Sequence, residues 1–184
     1  MSFFKKLFGG KEETAKTKQV KSHPKEQQKI KRTITDFFEI DITNVPDDSF
    51  IEAEEDINTS GEKVQNYRKL LDKKECGIFD TIEVKVIGGN SKNVFLMTHE
   101  PEKVRMDSLK KLVDDLYMLY GVDEYNKAKF NAKDIEDYNS EDFYMLFGRS
   151  WLEYPKYKTP VRLSRDEHEV SLAIFGANDI NNVK

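Results

Sequence analysis

The segment Ile78–His99 constrains the fold more than any other stretch of the chain. Ile82, Val84 and Val86 alternate with Thr81, Glu83 and Lys85, the period of two expected of a strand with one buried face. Gly88-Gly89-Asn90-Ser91 follows, and Asn93–His99 resumes the pattern. Two such runs joined by a glycine-rich turn predict an antiparallel hairpin. Its apolar face needs a cover, and Leu109, Leu112, Val113, Leu116 and Tyr120 share the face of a helix that supplies one. Asp107 or Ser108 is the expected N-cap and Gly121 the stop. Helix packed on hairpin predicts an α+β fold, an antiparallel sheet built from hairpins with a few packed helices.

The flanking segments are read around that unit. Ser22-His23-Pro24 opens a helix expected to run from Pro24 to Phe38. Pro46-Asp47-Asp48 reads as a turn, and Ser49–Asp56 as a short helix or loop. Thr59 and Glu62 read as a capping box, starting a helix lined by Val64, Tyr67, Leu70 and Leu71 and ended by Gly77. Residues 122–142 are polar, with one helical turn expected near Ala132–Asp137. Asp142–Tyr154 reads as an aromatic strand. Val161–Leu163 and Val170–Phe175, around the charged turn Ser164–Glu169, read as a final hairpin. The expected organisation is a basic, flexible N-terminal arm over 1–23, one α+β domain over 24–176 and a frayed end over 177–184.

Composition excludes several classes. The chain has 184 residues, 38% apolar and 35% charged, and no stretch approaches the ~18 apolar residues that cross a bilayer. Lys5 and Lys6 break the apolar start, which argues against a secretory leader. One cysteine, Cys76, leaves no intramolecular disulfide and fits a reducing compartment. The expected location is cytoplasmic, peripheral at the inner face of a membrane. Charge is unevenly placed: residues 1–32 carry ten basic and three acidic groups, whereas 33–62 carry ten acidic groups and no Lys or Arg. Such asymmetry reads as a basic arm followed by an acidic block.

A search for catalytic patterns finds no phosphate loop, GxGxxG, HExxH, GxSxG or CxxC, and no cofactor is expected. Gly88-Gly89 joins two strands and precedes no helix, so it reads as a turn. His99-Glu100 has the make-up of an acid–base pair, and Asp166-Glu167-His168-Glu169 gathers potential metal ligands. The commoner meanings, a polar strand end and a charged turn, are preferred, and no metal site is assigned. Cys76, beside Gly77 at an expected helix C-terminus, is read as packing, because that end of the dipole raises a thiol pKa.

Two clusters remain. Arg149, Lys156, Lys158 and Arg162 interleave with Trp151, Tyr154 and Tyr157, the enrichment typical of interface hot spots. The competing reading buries the aromatics and pairs the cations with the acidic segments 33–62 and 123–142. Overall acidity argues against nucleic acid. At the N-terminus, Phe3, Phe4, Leu7 and Phe8 share one helical face, with Lys5 and Lys6 off it, and this reads as contact with an anionic membrane surface. The resulting expectation is a non-enzymatic protein-interaction module with an unidentified protein partner, recruited to a membrane by its arm. The alternative is a small enzyme in which His99 or His168 meets carboxylates only in the fold.

Overall fold

Hairpin chemistry organises the first half of the chain. A computed structural model describes residues 33–140, 147–153 and 159–177. Strand β1 (Ile51–Ile57) turns at Asn58–Gly61 into β2 (Lys63–Glu75). β2 then passes through Cys76-Gly77 into β3 (Phe79–Ile87), and Gly88-Gly89 leads to β4 (Ser91–Thr98). Cys76 and Gly77 both have positive φ, 52° and 67°, as do Gly88 and Gly89, at 58° and 74°. Two successive left-handed residues produce the turn twist that matches the twist of paired strands. The expected hairpin over 78–99 is therefore present, paired antiparallel from Thr81 with Met97 to Ile87 with Ser91.

Helix α1 (Met106–Tyr120) follows, then α2 (Ala132–Asn139), β5 (Phe147–Trp151), β6 (Val161–Arg165) and β7 (Val170–Ile174). The seven strands make one antiparallel sheet in the order β1-β2-β3-β4-β7-β6-β5. Ile82, Val84, Val94, Leu96, Leu163, Leu172 and Ile174 are buried with Leu109, Leu112, Val113 and Leu116 of α1 in a single core cluster. All of these strand residues share one parity, so α1 covers one face of the sheet. The helix and the final hairpin lie where the hydrophobic pattern predicted.

Five expectations are corrected. The expected helix over 59–77 is strand β2: Asn58 Oδ1 accepts the N–H groups of Ser60 and Glu62, and this makes a hairpin turn, not a capping box. Pairing with β1 and β3 along its length overrides the helical spacing of Val64, Tyr67 and Leu71. Ser49–Asp56, read as a helix or loop, instead contributes most of β1. Of the expected helix from Pro24 to Phe38, the described part is only a 3-10 turn over Ile34–Phe37. Thr33 before it is extended, and its N–H donates to Asp36 Oδ2 at 2.6 Å. Finally, α1 has Arg105 at its N-cap with no side-chain cap, in place of Asp107 or Ser108. Ala177, expected to begin a frayed end, is buried in the core cluster.

Residues 33–50 close one end of the core. Ile34, Ile42 and Val45 are buried. The Glu75 carboxylate accepts the backbone N–H of Glu39 at 2.9 Å and of Ile40 at 3.1 Å. Lys92 Nζ donates to the carbonyls of Thr43 and Val45, and its desolvation lowers its pKa.

Candidate functional site

The residues expected to form a partner face separate in the structure. Arg149 and Trp151 lie on β5 at the parity that faces the helices, and both are 0% exposed. For these two the surface reading is corrected, because neither offers accessible area to a partner. Arg149 Nη2 donates to Asp134 Oδ2 at 2.7 Å and Nη1 to the Ala128 carbonyl at 2.8 Å, with Asp123 Oδ2 3.6 Å from Nη1. Trp151 donates its indole N–H to the Gly121 carbonyl at 3.0 Å and packs on Tyr120 with ring centroids 5.9 Å apart. Burial pushes the Tyr120 hydroxyl pKa up. The competing reading, cations paired with acids of 123–142, therefore describes Arg149. Tyr154, Lys156, Tyr157 and Lys158 lie outside the described residues, as do Phe3, Phe4, Lys5, Lys6, Leu7 and Phe8.

Arg162 has a different setting. It is on β6 opposite Ala173 of β7, at the parity that points away from the helices. There it lines a groove of about 480 Å³ on the sheet face opposite the helices, with Lys85, Phe95 and Phe175 and with the acidic residues Glu83, Asp166 and Glu169. Phe95 and Phe175 meet edge to face at 6.3 Å, and Lys85 Nζ stands 5.2 Å from the Phe95 ring centroid, an arrangement that favours the cation. Arg165, also at the groove, is turned toward α2: it stacks over the Tyr138 ring at 4.6 Å and donates to the Tyr138 carbonyl. Glu83 is paired with Arg68 at 2.8 Å. Sequence reasoning missed Phe95 and Phe175. Their signal was parity: both are large aromatics at positions where the strand pattern places polar side chains.

The candidate catalytic groups are placed as follows. His99 Nδ1 is 3.7 Å from Glu169 Oε2, so the contact is with β7's approach and not with Glu100. Glu100 pairs with Lys103 instead. Asp166 Oδ1 accepts the N–H groups of His168 and Glu169, which commits that carboxylate to holding the turn. Among the described residues no three His, Cys, Asp or Glu side chains gather into a metal site. Cys76 sits in a hairpin turn beside a small hollow lined by Phe37, Ser108 and Leu112, not at a helix end. Burial, not a helix dipole, pushes its thiol pKa up to about 12, which leaves it protonated and a poor nucleophile at neutral pH. Among the described residues no helix is long and apolar enough to cross a membrane. No family model, curated protein or solved structure matches the chain.

Proposed function

We propose that the chain is a protein-interaction module that binds a partner on the open face of its sheet, brought to a membrane surface by its N-terminal arm. One observation carries the first part: the helices cover one face of the sheet, while the other holds a groove lined by Phe95 and Phe175 with the cations Lys85 and Arg162, and with Glu83, Asp166 and Glu169 also on its wall. Aromatic rings beside cations suit a partner loop that offers an acidic side chain next to an apolar one. The test is capture from lysate by the full chain and by the double variant Lys85→Glu/Arg162→Glu, with mass spectrometry and matched thermal melts. A protein held by the wild type and lost from the folded double variant supports the groove. Identical sets of captured proteins rule it out.

The second part rests on the amphipathic spacing of Phe3, Phe4, Leu7 and Phe8 beside Lys5 and Lys6. A short apolar face and a basic run together make a reversible anchor, with each cation contributing ~1 kcal/mol near an anionic surface. Phe4→Glu with Phe8→Glu should abolish co-sedimentation with anionic liposomes while leaving the melting temperature unchanged. Equal sedimentation of that variant would reduce the interaction to charge alone.

A further inference from the structure

Strand β1 ends the sheet on one side, and among the described residues nothing pairs with its outer edge. All seven of its residues are exposed, Ile51 at 74% and Ile57 at 68%, and Leu70 of β2, two residues past the position opposite Ile51, is exposed at 75%. The direction of its backbone groups follows from the ladder. The Lys63 carbonyl accepts from the Gly88 N–H, and the Glu62 carbonyl from the Asn58 N–H. Lys63 therefore spends its backbone on β3, and antiparallel alternation leaves Ile57 and Glu55, opposite Lys63 and Gln65, with N–H and C=O groups aimed away from β2. The N–H of Ile57 is met by the side chain of the preceding residue, Asp56 Oδ1, at 2.7 Å. A side chain stands where a neighbouring strand would bond.

We infer that this edge receives an extended, lysine- or arginine-rich segment of a partner protein as an added strand. Backbone groups and exposed aliphatics provide the attachment, and charge selects the occupant. Glu52, Glu54, Glu55 and Asp56 leave β1 with four carboxylates and no cation of its own, and Lys63 of β2 answers one of them, Glu55, at 2.8 Å. A second copy of this chain would bring carboxylate against carboxylate, and like charges directly opposite destabilise a strand pair. A basic strand meets the reverse situation. The inference takes the chain to be an interaction module but uses a surface separate from the groove, so each can fail without the other.

The probe is a capped, fluorophore-labelled peptide of alternating valine and lysine, titrated into the full chain and followed by anisotropy. Glu55→Pro removes the outward N–H at a position where an edge strand tolerates proline, and Glu55→Gln removes the charge alone. Binding should weaken roughly tenfold or more with proline, a difference of ~1.4 kcal/mol, and clearly less with glutamine. The same peptide with its pairing amides N-methylated should lose binding to the unmodified protein, which keeps the test valid if the proline variant unfolds. The groove variant Lys85→Glu/Arg162→Glu should bind the peptide as the wild type does. Absence of binding, equal weakening by proline and glutamine, or full binding of the N-methylated peptide would overturn the inference. A concentration-dependent dimer abolished by Glu55→Pro, without peptide binding, would overturn it in favour of self-pairing.

Discussion

The two edges of the sheet solve the same problem in opposite ways. An edge strand exposes unpaired backbone groups, and proteins either cover them or make them unattractive. At β5 the loop before α2 does the covering: the Glu124 N–H donates to the Ser150 carbonyl, and the Glu124 carboxylate accepts from Ser150 Oγ and the Leu152 N–H. That loop is held by Arg149, whose buried guanidinium reaches Asp134 and the Ala128 carbonyl. At β1 nothing among the described residues does so, and carboxylates stand along the strand instead. One edge is closed by a buried ion pair, and the other is guarded only by charge. The difference shows that burial of a charge can seal an edge, while exposure of charge leaves it selectively open.

Removing the seal should give the largest effect. Arg149→Ala takes the guanidinium from the buried Asp123 and Asp134 and leaves Asp134 only Lys127 Nζ at 3.9 Å, a loss of about 3–5 kcal/mol by the usual cost of breaking a buried pair from one side. Urea melts should show it, with β5 amides exchanging faster. A loss no larger than that of an exposed substitution would mean that the guanidinium does not hold this edge.

Acid should weaken the same edge to a lesser degree. Asp114 accepts the N–H of Phe130 and a bond from Lys110, and Asp137 accepts from Lys127 and Lys133, so both carboxylates tie down the covering segment. Burial raises both pKa values, but these hydrogen bonds outweigh it and leave both below the ordinary 3.8. A depressed carboxyl contributes stability above its unfolded pKa and loses it as pH falls through the folded value. Emission from Trp151, the one tryptophan, should therefore begin to shift as pH falls below 3.8. An unchanged spectrum well below that value would detach the two carboxylates from the edge.

The smallest effect belongs to β1. Ile57→Thr, at a position exposed at 68%, should change stability by no more than about 0.5 kcal/mol. A loss several times larger in the same melts would show that β1 is covered in solution, and the contrast between the edges would disappear.

The same contrast governs what could be read in the sequence. β3, β4, α1, β6 and β7 were legible because the positions of each that face the core are mostly apolar and buried, so burial follows the hydrophobic pattern closely, although Thr81, Met97 and Ala173 of the other parity are buried as well. β2 was not, since only Tyr67 and Leu71 of its apolar residues pack on the core while Leu70 points to solvent, and Val64, Tyr67 and Leu71 fall by coincidence at helical spacing. In β1 the acidic run hid a strand whose existence depends on pairing with β2. At the site, Arg149 and Arg162 looked alike in sequence. What separates them is strand parity together with Asp134, fifteen residues before Arg149, and neither is a local property.

The strand order has a mechanical consequence. Strands β1 to β4 form one meander and β5 to β7 another, and every neighbouring pair but one is joined by its own connecting segment. The exception is β4 against β7, where Val94 meets Ile174 and Thr98 meets Val170. Pulling any other two neighbours apart strains a link that keeps their ends within reach, so they close again at little entropic cost. The β4–β7 ladder has no such tether. It is the zip of the molecule, and the apolar cluster beneath α1, drawn from both meanders, is the fabric that keeps its two sides together.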